Sequence, residues 1–238
     1  SKFSPRVWHR DFHDATIVDC PDKTVVGKSF GGIADAAGIH PVDAFLDLVV
    51  VHGKRLRWKT VIGNHRKHRL EALVQDKGSI ISFSDAGAHI RNMAFYNFGI
   101  QLLKLCRDAE LEGRRVMPIE KAIWRLTGEL ADWFELDAGR LHLGARADVV
   151  VINPAGLDAS VLRYAEAPLA EFGGIPRMVN RNDAAVTATV INGRIAYRQG
   201  QFAADFGQSQ GYGRFLPASV ANAETAPPQA QQPLARAA

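Results

Sequence analysis

The chain has 238 residues, 47% of them hydrophobic and 23% charged, with 29 basic and 25 acidic side chains and a formal charge of +4. These proportions belong to a folded chain able to bury a sizeable core, and they exclude a disordered, collagenous or coiled-coil one. No apolar run approaches the roughly 18 residues of a membrane span.

Two cysteines occur, Cys20 and Cys106, outside any CxxC pair. A disulfide scaffold is therefore excluded, and unpaired thiols in a cytoplasmic protein are expected. Residues 1–10 lack the apolar segment of a signal peptide. Residues 1–25 read as irregular apart from a short strand at 15–18, with a turn at Pro21-Asp22. Ser29 is placed to cap a helix through Ala37 that Gly38 ends. Pro41 opens a second helix, where its missing N–H costs nothing. Phe45, Leu48, Val49 and His52 share helical spacing there, and Gly53 stops it.

Residues 55–62 read as a strand with Leu56, Trp58 and Thr60 on one face. A helix over 66–75 directs Leu70, Leu73 and Val74 inward. Residues 79–83 form a short apolar run between helical segments, the pattern of a buried parallel strand. A long helix spans 97–110 with Ile100, Leu103 and Leu111 on one side. Pro118 opens another, with Ile119, Ala122, Ile123 and Leu126, and a short helix follows at 129–134. From Gly139 the pattern turns to β, with strands at 140–144 and 147–152 and a hairpin turning at Asn192-Gly193, whose residues tolerate positive φ. Residues 217–238 are Ala-, Pro- and Gln-rich and read as a disordered tail.

Ser84-Asp85-Ala86-Gly87-Ala88-His89 is the densest polar constellation, and it directly follows the 79–83 run. The C-terminal ends of parallel strands are where α/β proteins build sites. Asp85 suits a general base or a metal ligand there, and His89 stands four residues on. The plain alternative is a helix-capping Asp85 with His89 as its partner. Asn64, with His65, sits past the preceding strand, either at a site or in a turn. Arg91, beside Asn92, suits a carboxylate ligand.

Other motifs fail. Gly27-Lys28-Ser29 ends like a phosphate loop without its upstream glycines, so a turn and helix cap is expected. His9 and His13, and His65 and His68, have helical spacing but no convincing third ligand. There is no Gly-x-Ser-x-Gly elbow. The basic stretch over 54–69 carries no nucleic-acid-binding signature, so no nucleic acid and no membrane is expected among the partners.

Several segments together resemble the D-aminoacylases, N-acyl-D-amino-acid deacylases of the amidohydrolase superfamily. They are residues 27–48, 84–89, 119–127, 139–154 and 190–197, in that order. The resemblance runs over about residues 7–215. It implies an α/β fold: the C-terminal part of a distorted (β/α)8 TIM-like barrel plus part of a small β-sandwich. Residues 1–135 would be the last strand–helix units of the barrel with inserted helices, 136–216 the C-terminal part of the sandwich, and 217–238 the tail.

The same resemblance implies a zinc-dependent amidohydrolase that cleaves the linear amide of N-acyl-D-amino acids. Asp85 would be the acid/base, taking a proton from the nucleophilic water and passing it to the leaving amine. Asn64, His89 and Arg91 would contact the substrate. The Zn2+ ligands would lie mainly upstream of Ser1, with Asp85 the one candidate in this chain, since no His-x-His occurs here. The D preference rests wholly on the resemblance. Ala86 stands where the family often has Gly, which crowds the loop. The chain is then expected to be inactive alone, and to self-associate or to need a missing N-terminal barrel half. A hydantoinase-like cyclic amidase and a non-catalytic subunit or scaffold are the alternatives.

Overall fold

A computed structural model of the protein describes residues 11–60, 66–81, 97–168, 170, 173–179 and 182–218. The architecture is mixed α/β, and the chain divides into two compact units, Ser1–Leu73 and Val74–Ala238. Among the described residues the three sheets have two, four and two strands, and every pairing is antiparallel.

In the first unit, β1 (Thr16–Asp19) pairs with β2 (Arg57–Lys59), Ile17 lying opposite Trp58. Helix α1 (Phe30–Ala37) starts where the Ser29 hydroxyl accepts the Gly32 N–H at 3.0 Å, and it ends at Gly38, whose φ of 66° is left-handed. Gly27-Lys28-Ser29 is thus a turn and a cap. Helix α2 (Pro41–His52) has Pro41 in its first turn and His40 Nδ1 accepting the Val42 N–H at 3.2 Å. Both helices begin and end as their punctuating residues predict.

The core of this unit is Ala15, Ile17, Cys20, Val25, Phe30 and Leu56, with Phe12, Ile33, Phe45, Leu48 and Val49 packed on it. Phe30, Phe45 and Trp58 form an edge-to-face triangle with centroids 5.1 to 5.9 Å apart. Such pairs contribute about 0.5–1.5 kcal/mol each beyond their burial. The strand expected over 55–62 is shorter. A 3-10 turn at Gly53–Arg55 consumes its start, and β1 offers only four residues to pair with.

Helix α3 (Lys67–Gln75) buries Val74, whereas Leu73 is exposed. In the second unit, Ser79, Ile80 and Ile81 have no strand pairing, and the rest of the expected parallel strand lies outside the described residues. Helix α4 (Phe98–Leu111) buries Leu102, Leu103, Cys106 and Ala109. Its inward face is therefore rotated from the expected Ile100–Leu103–Leu111 side, and Leu111 faces solvent. Helix α5 (Ile119–Leu126) buries Ala122 and Arg125 while Ile119 and Ile123 are exposed. Helix α6 (Gly128–Trp133) follows directly.

The four-stranded sheet has the order β3 (Val149–Ile152), β6 (Val186–Ile191), β7 (Arg194–Arg198) and β8 (Gln201–Phe202). Asn192 and Gly193 turn the β6–β7 hairpin with φ of 51° and 78°, as that dipeptide predicts. The remaining pair is β4 (Glu166–Pro168) with β5 (Pro176–Met178). Residues 140–144 are not a strand. Gly139 and Gly144 stand on either side with φ of 76° and 85°, which curls the segment into turns. No described helix is long and apolar enough to cross a membrane.

Candidate functional site

Asp85, His89 and Arg91 fall in 82–96 and Asn64 in 61–65, outside the described residues. The structure does describe how the chain enters and leaves 82–96. Both ends are held by buried polar side chains of the second unit.

On the entry side the last turn of α3 leads into a tight turn at Asp76–Gly78. The Asp76 carboxylate accepts the Gly78 N–H at 3.1 Å and the Ser79 hydroxyl at 3.1 Å. The Gly78 amide first, then the Ser79 hydroxyl, hold this carboxyl below its ordinary range, with the Arg125 charge adding a little. Beneath the turn lies Arg125, only 2% exposed. Its guanidinium donates to the carbonyls of Val74 and Ser79. Its Nε donates to Glu129 Oε2 at 2.8 Å. A buried charge is tolerable only when paired and hydrogen-bonded, and Arg125 meets both conditions while clamping two points of the backbone that leads to 82–96.

On the exit side Asn97 precedes α4 and is 8% exposed. Its side chain does not cap the helix. Instead Nδ2 donates to the Val161 carbonyl at 2.9 Å and to Asn182 Oδ1 at 2.7 Å, while Oδ1 accepts from Gln101 Nε2 at 2.7 Å. One amide thus ties the start of α4 to the 3-10 turn Ala159–Leu162 and to Asn182, just before β6. Arg107, farther along α4, donates to the Leu157 carbonyl at 2.8 Å. The two clamps hold Ser79 and Asn97, described backbone on either side of 82–96.

Sequence reasoning placed Arg125 in a helix without a role and read Asn97 as a helix start. The available signals were the Arg125–Glu129 spacing of four, which puts the pair on one helical face, and an Asn before an apolar helix.

Of the two histidine pairs, His13 is held in a structural role. His13 Nε2 lies 3.0 Å from Asp35 Oδ2, and its Nδ1 lies 3.4 Å from Asp11 Oδ1. The hydrogen bond to Asp35 leads in raising the His13 pKa. The ring rests on Gly31, where a Cβ would come within 2.4 Å of it. His13 is therefore engaged by carboxylates, and His9 and His65 lie outside the described residues. Cys20 and Cys106 are buried free thiols, and burial raises the Cys106 pKa. Among the described residues no group of three His, Cys, Asp or Glu side chains is arranged to hold a metal. The donors present there do not compose a zinc site.

No protein-family model matches the chain. Over 220 residues, or 90% of the chain, it is 54% identical to uncharacterized proteins of Mycobacterium bovis and Mycobacterium tuberculosis, of which it covers 36%. Among solved structures it is similar to a crystal structure of D-aminoacylase described as defining a novel subset of amidohydrolases. The sequence identity is 19% and the TM-score 0.47, covering 85% of this chain and 37% of that one. A second D-aminoacylase structure, from work on its binuclear metal centre, gives the same figures. The chain thus spans about a third of the length of the proteins it matches.

Proposed function

We propose that the chain is the C-terminal part of a metal-dependent amidohydrolase acting on the linear amide of N-acyl-D-amino acids. The observation that carries this reading is the ordered set of resembling segments in the sequence, 27–48, 84–89, 119–127, 139–154 and 190–197. The clamps of Arg125 and Asn97 support it, because they hold described backbone on either side of the segment that carries Asp85. The length of the mycobacterial relatives supports it too, since they leave room for a further domain or barrel portion. In this reading residues 1–135 are the last strand–helix units of a barrel, 136–216 belong to a β-sandwich, and 217–238 are a tail.

Asp85 is then the acid/base of the reaction. Asn64 and His89 orient the substrate, and Arg91 pairs with its carboxylate. A metal, held by polypeptide outside these residues, supplies charge stabilisation of the amide oxygen and a more acidic water. The chain alone lacks that part and is inactive.

The test is a panel of N-acetyl-D-amino acids, their L isomers and cyclic hydantoins, offered to the chain alone and to the full-length M. tuberculosis relative with zinc. Turnover of open D substrates by the relative and none by the chain is the expected result. Preference for hydantoins makes it a cyclic amidase. An inert relative that nonetheless binds an unrelated protein makes it a scaffold.

A further inference from the structure

We propose that helix α2 docks, through an outward apolar stripe of Val42, Leu46 and Val50, onto the polypeptide that the full-length relatives carry beyond the matched third, and that the covering surface is apolar with a basic margin. The proposal rests on one part of the functional reading, that the chain belongs to a longer protein. It depends on neither Asp85 nor the substrate.

Asp43, Asp47 and His52 are the only polar residues of α2. Phe45, Leu48 and Val49 pack on the core of the first unit, and Ala44 is buried. Val42, Leu46 and Val50 recur every four residues, which lines them up as a second apolar side that the core leaves open. They are 37%, 49% and 82% exposed. Ile39, three residues before Val42, is exposed as well. A surface helix ordinarily turns a polar face to water, whereas a helix that is apolar nearly all round is a buried one.

Two observations point to the occupant. About two-thirds of the length of the 54%-identical mycobacterial proteins lies outside the match, so polypeptide able to cover the stripe is present in this chain's own relatives. The second observation is charge. Asp43 and Asp47 stand one residue after Val42 and Leu46, so both follow the same margin of the stripe, and both are exposed. A second copy packed antiparallel about a two-fold axis would set this acidic margin against itself. A parallel pair would press the carboxylates onto the other, apolar margin of the partner helix without a cation. A different surface, with Lys or Arg opposite Asp43 and Asp47, has neither fault.

The experiment compares the 238-residue chain with a chimera in which it replaces the matching third of the M. tuberculosis relative. V50C puts one thiol on the stripe, and the native Cys20 and Cys106 are buried. Maleimide should label V50C rapidly in the chain and at least tenfold more slowly in the chimera. K23C, at a side chain 73% exposed, should react alike in both. D43K/D47K should restore most of the V50C rate in the chimera, and a rate left unchanged overturns the basic margin. Equal V50C rates in chain and chimera overturn the docking. So does slow labelling of the chain alone, whether at every concentration, which means that the chain covers the stripe itself, or only at high concentration, which means that a second copy does. Should the chimera not fold, carbene footprinting of the unmodified chain and the full-length relative decides: the segment matching α2 should be labelled less in the relative, and equal labelling overturns the proposal. Because no readout is activity, an inactive chimera with a protected V50C refutes the amidohydrolase reading and leaves the docking standing.

Discussion

Arg125 and Ser79 lie 46 residues apart in sequence, yet the Arg125 guanidinium donates to the Ser79 carbonyl. The same guanidinium holds the Val74 carbonyl and pairs with Glu129. A helix whose sequence offers Ile119 and Ile123 to the core thus turns a charged residue inward instead. Replacing Arg125 by Ala strands Glu129 and two carbonyls, which costs about 3–5 kcal/mol for a buried pair broken on one side. Urea unfolding of R125A measures that loss. The double variant R125M/E129L removes both charges together and is expected to recover most of it.

Asn97 uses both amide hydrogens and its oxygen in the exit clamp. N97A leaves the Val161 carbonyl and Asn182 without that partner, at a cost of about 1–3 kcal/mol. Hydrogen exchange should quicken at the start of α4 and in residues 159–162 while β6–β7 keeps its protection. Uniform quickening would mean that Asn97 has no local role.

Gly156 packs against the chain just before β6, where a Cβ would stand 2.0 Å from the Ala184 carbonyl oxygen. Backbone cannot yield as a side-chain tip can, so G156A is expected to destabilise by roughly 1–3 kcal/mol or more. The urea midpoint of G156A against that of G27A separates crowding from conformational strain. Gly27 has a φ of 86° and open space around its Cα, so G27A carries the strain alone.

Stability should depend on pH at both ends of the range. His13 is raised above its ordinary value, first by its hydrogen bond to Asp35. Its contribution is full below about pH 6.5 and fades as pH rises through the higher folded value. H13Q should flatten that alkaline slope. Asp205 is lowered, first by the Tyr212 hydroxyl, then by Ser209, with the Arg194 charge contributing less. Its contribution is full above the ordinary carboxylate value near pH 4 and is lost as pH falls through the lower folded value. D205N should remove that acid-side loss, as read from denaturation midpoints between pH 2 and 5.

Local chemistry was legible in the sequence wherever one or two residues decide a backbone conformation. Ser29, Gly38, Pro41 and Gly53 bound their helices as expected, and Asn192-Gly193 turns its hairpin. Facing was less legible. The inward sides of α4 and α5 depend on partners distant in sequence, and no periodicity announces that Arg125 will meet carbonyls 46 and 51 residues away. Residues 140–144 alternate like a strand, but two glycines with positive φ curl them into turns. The site candidates Asn64, Asp85, His89 and Arg91 lie outside the described residues. The clamps around 82–96 were not legible, because an arginine or asparagine in a helix ordinarily reads as solvated.

The most direct measurement places residues 1–238 into the M. tuberculosis relative in place of its matching third, and compares that chimera with its D85N form. Release of free D-amino acid from N-acetyl-D-amino acids in the presence of zinc is the readout. We expect the chimera to turn over and D85N to lose about 10²–10⁴-fold, the range for a removed general acid/base. An active chimera indifferent to D85N would contradict the assignment of Asp85, and a chimera that cleaves only hydantoins would contradict the proposed substrate class.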